Sequence, residues 1–178
     1  MFKRGSFFYV CWFSILTILT GCGYTTRSTL PKNLQTIHIE DFKNEISYTD
    51  GSGRNIYLPL LELDARNAVI DRFLFDGNLK IAEFEDADLI LKGRLKSYFR
   101  GVLRYTDDQD VEEYRVQITV SFELWDTKRN EIAWSEPGFV GEAEYFVTGS
   151  QAITEEAAVK IAIKDLARRI VERTIEDW

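Results

Sequence analysis

Few side chains in this sequence are of the types that perform chemistry, and they do not cluster along the chain. His38 is the only histidine, and alternation in TIHIEDF (36–42) places it on the strand face opposite Ile37 and Ile39. A single histidine excludes a metal site built on paired histidines and predicts a solvated strand residue rather than a general base. Carboxylates are abundant, which leaves a paired-carboxylate hydrolase as a remote alternative; they include Asp107, Asp108, Asp110, Glu142 and Glu144. We therefore expect a protein that is not an enzyme and that needs no metal or cofactor.

One predicted strand concentrates positive charge in a chain whose net charge is −7. In ADLILKGRLKSYFRGVLRY (87–105), alternation places Leu89, Leu91, Leu95, Phe99 and Leu103 on one face. The other face then carries five basic residues, Lys92, Arg94, Lys96, Arg100 and Arg104. We predict that this face binds an anionic amphiphile through its phosphates, because guanidinium groups pair well with phosphate. The alternative is a solvated sheet face that balances glutamates on neighbouring strands, and the acidic balance of the whole chain argues against a nucleic-acid partner.

Two aromatic residues fall among polar ones. In EYRVQITVSFELWD (113–126), alternation places Trp125 on the same strand face as the polar residues, and Phe146 lies on the same side of its strand as Glu142 and Glu144. Exposed aromatic side chains among polar ones are typical of interface anchors. We predict a partner interface at Trp125 and Phe146; the alternative is that they cover the ends of the sheet.

The amino-terminal segment predicts export from the cytoplasm. Lys3 and Arg4 precede an apolar run, residues 7–19, that is shorter than the ~20 residues a transmembrane helix needs. The stretch Leu19-Thr20-Gly21-Cys22 resembles the lipobox of bacterial lipoprotein precursors. The resemblance implies that residues 1–21 are a signal peptide, that Cys22 carries the lipid and that the destination is the outer membrane. An uncleaved membrane anchor and an ordinary secretory signal are the alternatives.

The remaining sequence predicts one domain. A polar tether (22–34) leads from the lipid to a single domain (35–178) with the order strand, helix, three long strands and helix. Pro137-Gly138 predicts a bulge or an edge position in the last strand. Two amphipathic helices packed on one face of a mostly antiparallel four-stranded sheet would make an α+β two-layer sandwich.

The order and spacing of these segments resemble the LptE family of lipopolysaccharide-assembly lipoproteins of the Gram-negative outer membrane. The resemblance is carried by GCGYTTRSTLP, TIHIEDFKN, ADLILKGRL, EYRVQITVSFELWD, EIAWSEPGFVGEAEYF and EEAAVKIAIKDLARRIVER. It implies a plug in the lumen or on the periplasmic side of the LptD β-barrel, which binds lipopolysaccharide and assists its assembly at the cell surface. It carries over no ligand-contacting residues. The alternative is a structural accessory lipoprotein of another envelope complex.

Overall fold

The computed structural model describes residues 30–47 and 58–176. The predicted signal peptide, Cys22 and most of the predicted tether lie outside these residues. The described elements are β1 (Thr36–Ile39), β2 (Lys43–Asn44), α1 (Leu61–Asp76), β3 (Lys80–Ile81), a 3₁₀ turn (Phe84–Asp86), β4 (Leu89–Tyr105), β5 (Val111–Asp126), β6 (Glu131–Phe146) and α2 (Glu155–Glu176). Within the described ranges, neither helix is long and apolar enough to cross a membrane.

The apolar spacing of each helix explains how it packs. In α1, Leu61, Ala65, Val69 and Phe73 are buried at intervals of four residues. Gly77 ends this helix in the left-handed conformation at φ 77°, and its N–H donates to the carbonyl of Phe73. In α2, acidic residues occupy the first turn and Arg173 the last, as the helix dipole favours. Both helices pack in one layer against one face of the sheet, as predicted, and bury their apolar stripes in a common core.

The predicted four-stranded, mostly antiparallel sheet is wrong in strand number and in the direction of the short strands. The sheet has six strands in the order β3-β1-β4-β5-β6, with β2 also paired to β4. The three short strands pair in parallel, and only β4, β5 and β6 form an antiparallel meander. The crossover through α1 returns the chain parallel to β1. Strands of two residues, such as β2 and β3, are too short to produce an alternating sequence pattern.

A bulge in β4 changes which side chains share a face. Leu95 pairs with Val120 and Ser97 pairs with Thr119, so Lys96 has no partner in the ladder. Beyond this bulge Tyr98 is buried, whereas Phe99 is 57% exposed. The predicted common face therefore ends at Leu95, and the placement of Phe99 and Leu103 with the leucines is wrong.

The last strand has both features predicted from Pro137-Gly138. The β5–β6 register shifts between Val120, which pairs with Phe139, and Phe122, which pairs with Glu136. β6 also forms one edge of the sheet. Further along β6, Gly141 lies directly under α2, and a Cβ added there would stand 2.5 Å from the Cβ of Leu166. The absence of a side chain at Gly141 lets this helix approach the strand.

Candidate functional site

The histidine and the carboxylates that could take part in catalysis contact neighbouring side chains and backbone or are exposed to solvent. His38 is half-buried, its Nδ1 lies 3.0 Å from the carbonyl oxygen of Ala82, and its ring contacts the edge of Phe84. The carboxylates of the β4–β5 turn, Asp107, Asp108 and Asp110, are exposed to solvent. Glu142 accepts a hydrogen bond from Gln117, and Glu144 pairs with Arg115. Within residues 30–47 and 58–176, no cluster of three or more histidine, cysteine, aspartate or glutamate side chains is arranged to hold a metal ion.

The five predicted basic residues do not form one surface. We call the side of the sheet covered by α1 and α2 the helix face and the other side the open face. Lys92 and Arg94 pair with Glu123 and Ser121 of β5 on the open face. Arg100 pairs with Val116, whose side chain belongs to the core, and therefore lies on the helix face. The bulge at Lys96 causes this separation, because one unpaired residue reverses the side-chain alternation that follows.

Arg100 belongs to a cluster that holds the start of α2. Its guanidinium pairs with Glu155 and lies over the ring of Tyr114, 4.3 Å from the ring centroid. The hydroxyl of Tyr98 donates to the other carboxylate oxygen of Glu155 at 2.6 Å. Burial and this hydrogen bond to a carboxylate both raise the pKa of Tyr98, so its hydroxyl keeps its proton to higher pH than that of an ordinary tyrosine. Sequence alternation missed the cluster because it placed Arg100 on the opposite face.

Lys92, Arg94 and Lys96 remain together on the open face, and each has a carboxylate partner. The Nζ of Lys92 lies 3.2 Å from a carboxylate oxygen of Glu40, and the Nζ of Lys96 donates to a carboxylate oxygen of Glu45 at 2.5 Å. Arg94 lies 3.3 Å from Glu123 and 3.9 Å from Glu45. The hydrogen bond from Lys96, together with the charges of Lys96, Arg94 and Lys43, lowers the pKa of Glu45. A shallow recess of about 160 Å³ borders this group, lined by Glu40, Asp41, Lys43, Lys92, Gly93, Arg94 and Glu123.

Arg104 and Phe146 meet at the far end of the sheet. The guanidinium of Arg104 lies 3.3 Å from Glu113 and 5.6 Å from the ring centroid of Phe146. Phe146 is half-buried, and Glu113 is 8% exposed. Arg104 follows Lys92 by twelve residues along β4, which is more than 30 Å at about 3.3 Å per residue. The two side chains are therefore too far apart to bind the same compact group of a ligand.

Trp125 lies at the opposite end of the open face. It is half-buried and pairs across the strands with Ile90, which is buried, and Ile132, which is exposed. The two predicted interface aromatics are therefore at opposite ends of β5. The interface at Trp125 and Phe146 stays a prediction. The aromatic side chains that are most exposed among the described residues are Phe75, Phe84, Phe99 and Tyr105.

Comparisons with known proteins identify both a family and a fold. A family model described as "LptE: Lipopolysaccharide-assembly" matches residues 34–174. Among curated proteins, none matches the sequence.

Solved structures similar to this chain come from several bacteria. A protein from Xanthomonas campestris has a TM-score of 0.53 at 13% identity, covering 83% of this chain and 88% of that one. A minor lipoprotein from Acinetobacter baumannii has a TM-score of 0.50 at 17% identity, covering 80% and 93%. A hypothetical protein from Chlamydia trachomatis has a TM-score of 0.53 at 10% identity, covering 79% and 95%. At such identities the likeness shows the fold alone.

Proposed function

The chain belongs to the LptE family of lipopolysaccharide-assembly proteins, and from this premise we propose that it is a non-enzymatic lipoprotein of the outer membrane, held there by a lipid on Cys22. It assists the transport of lipopolysaccharide to the cell surface as the plug and partner of an LptD-like β-barrel. The observation that carries the proposal is the family match, which extends over almost the whole described domain. The polar, charge-paired open face supports it, because the lumen of a large membrane barrel is itself polar.

The anchor is tested at Cys22. In a Cys22→Ala variant we expect acylation to be abolished and cleavage to fail or be rerouted, so that both the mass and the membrane partitioning of the chain change. Unchanged mass and unchanged membrane partitioning would overturn the anchor.

Lipopolysaccharide binding is assigned to Lys92, Arg94 and Lys96. Their ion pairs are partly exposed, with side-chain exposures of 40%, 36% and 42%. Pairs of this kind are worth ~0–1 kcal/mol, so a lipid phosphate can replace a carboxylate partner at little cost. Arg100 and Arg104, which the sequence assigned to the same site, lie on the helix face and at the far end of the sheet and are left out of this proposal.

The ligand assignment is tested with charge-matched variants of the full chain. Changing Lys92, Arg94 and Lys96 together to Gln is expected to weaken lipopolysaccharide binding and to reduce its salt dependence. The control changes Arg115, Lys160 and Arg168 to Gln, which removes the same formal charge from surfaces outside the recess. Equal weakening by both variants would assign the effect to net charge and overturn the site.

The barrel assignment is tested by purification from native membranes in mild detergent. We expect a large outer-membrane β-barrel to co-purify with the chain in a one-to-one complex. Recovery of a different envelope complex, with no barrel, would favour a structural accessory role instead.

A further inference from the structure

The most exposed large apolar side chains of the described domain are adjacent, at the end of α1. Phe75 is 80% exposed and Leu74 is 62% exposed. Phe75 also lines a groove of about 640 Å³ between the two helices, whose apolar members include Ala68, Ile161 and Ala167. Single exposed apolar residues are ordinary, but a contiguous apolar surface marks a contact with a partner or a membrane.

The topology places this surface at the end of the domain where the chain arrives from Cys22. Phe75 precedes Lys80 by five residues, and Lys80 pairs with Thr36 at the start of β1. The backbone N–H of Lys80 also donates to the carbonyl of Gln35 at 2.9 Å. Seven residues separate Cys22 from Leu30, where the described structure begins. The eight residue steps from Cys22 to Leu30 span about 29 Å at most, so a lipid on Cys22 holds this end of the domain close to the bilayer.

We propose that the end of α1 is a second membrane contact, in which Leu74 and Phe75 enter the interfacial layer of the leaflet that holds the lipid of Cys22. This inference rests on the proposed acylation of Cys22. Apolar side chains of an interfacial helix reach about 5–10 Å into the boundary between headgroups and acyl chains. One anchored residue leaves the domain free to rotate; this second contact fixes which side of the domain faces the membrane.

The charges around Leu74 and Phe75 fit such a contact. Arg72 lies over the ring of Phe75, 5.3 Å from its centroid, and its buried Nε has no hydrogen-bond partner. Lys32 and Lys80 are exposed at the same end. Long basic side chains at an interface extend to the headgroup phosphates. Asp71 and Asp76, with the exposed Glu85 and Asp86 of the 3₁₀ turn beside the start of β1, offset this charge, so the apolar pair supplies most of the binding and salt has a small effect.

The test uses tryptophan as a depth probe. Phe75→Trp adds an indole at the proposed contact, and the control Tyr105→Trp adds one at the opposite end of the sheet, where Tyr105 is 59% exposed. The full chain carrying each change is reconstituted in phosphatidylethanolamine–phosphatidylglycerol vesicles containing brominated lipid. We expect the emission added by Trp at position 75 to be quenched by the bromine and that added at position 105 to be unaffected. Equal, weak quenching at both positions would overturn the proposal.

Two further outcomes separate this inference from its alternatives. A blue-shifted but unquenched probe at position 75, dependent on protein concentration, would show that another protein surface covers it and would also overturn the proposal. The mass of the purified chain reports acylation independently. If the purified chain is not acylated, the lipid anchor at Cys22 is refuted. The membrane contact of Phe75 can still be tested, because the unacylated chain can be added to the same vesicles from solution and the quenching measured. For that unacylated chain, Leu74→Ser with Phe75→Ser should weaken vesicle binding by tenfold or more, the order expected from exposing a Leu or Phe side chain.

Discussion

At the scale of single residues, the carboxylate partner of each cation determines what that cation does in this domain. Arg94 and Arg100 are both strand arginines of β4, yet one lies on the open face between Glu45 and Glu123 and the other joins Tyr98 and Glu155 under α2. The sequence shows the positions of the charges but not their pairing, because the partners lie up to 55 residues away along the chain. Exchangeable surface pairs suit ligand binding, whereas the Arg100 pair suits the attachment of a helix.

The role of Glu155 is tested by its removal. Glu155→Ala removes the acceptor of the Tyr98 hydroxyl and the carboxylate partner of the Arg100 guanidinium, which is 20% exposed. We expect the free energy of unfolding, measured with urea, to fall by about 1–3 kcal/mol, the usual cost of an unsatisfied, mostly buried polar group. Asp107→Ala, which removes the same charge from the exposed turn, is expected to stay within about 0.5 kcal/mol of the parent. Similar losses in both variants would show that charge rather than the Glu155 contacts matters.

The lowered pKa of Asp88 predicts how the free energy of unfolding depends on pH. Burial would raise the pKa of Asp88, but hydrogen bonds from Lys128, Gln35 and Thr36 outweigh burial and lower it. Because the folded pKa lies below the unfolded value of about 3.9, the stabilisation is present above that value and is lost as pH falls through the folded pKa. We expect Asp88→Asn to reduce the free energy of unfolding by about 1–3 kcal/mol at pH 7, with the gap to the parent narrowing below about pH 4. A gap that is the same at pH 7 and pH 3 would contradict this assignment.

At the scale of elements, the sequence predicts the patterns that repeat and the interruption that Pro137-Gly138 signals, and it misses a bulge that no such residue signals. The apolar spacing of α1 and α2 and the alternation of β5 extend over many residues, so these elements were predictable. The bulge at Lys96 is a single unpaired residue, and a lysine at this position does not indicate a bulge. Its effect is large, because it moves Phe99 from the predicted core to the surface and Arg100 from the predicted ligand face to the helix face. The strand β1 was predicted from its alternation, but the parallel pairing of the short strands was missed, because it depends on the crossover through α1 rather than on their own sequence.

The contact between α2 and β6 gives a prediction for Gly141. A Cβ at this position stands 2.5 Å from the Cβ of Leu166 and would push the helix away from the strand. We expect Gly141→Ala to lower the free energy of unfolding by about 1–3 kcal/mol, as overpacking does. Gly138→Ala on the same strand is the matched control, since a Cβ there meets nothing within 4 Å. Equal stability of the two variants in urea would show that α2 adjusts without cost.

At the scale of the whole molecule, the two ends of the domain differ in a way that suggests an orientation. The end near Leu30 carries Leu74 and Phe75, whereas the opposite end carries the exposed β4–β5 turn with Asp107, Asp108 and Asp110. An acidic turn is repelled by an anionic membrane surface, and an apolar pair is attracted to its interface. The two proposals are therefore compatible: in the proposed orientation the acidic turn would lead into the barrel, while the anchored end would stay at the periplasmic leaflet.

This orientation predicts where a protease can act. In the free chain, the exposed β4–β5 turn at residues 106–110 should be cut quickly by a protease specific for acidic residues, because no described element covers it. In native membranes the barrel wall would surround the turn and shield it, so we expect the same cleavage to be strongly slowed. The control is the same chain in the same detergent after separation from the barrel, which distinguishes shielding by a partner from inhibition of the protease. If residues 106–110 are cut at equal rates in both settings and no barrel co-purifies, the chain is not enclosed by a barrel and the plug proposal fails.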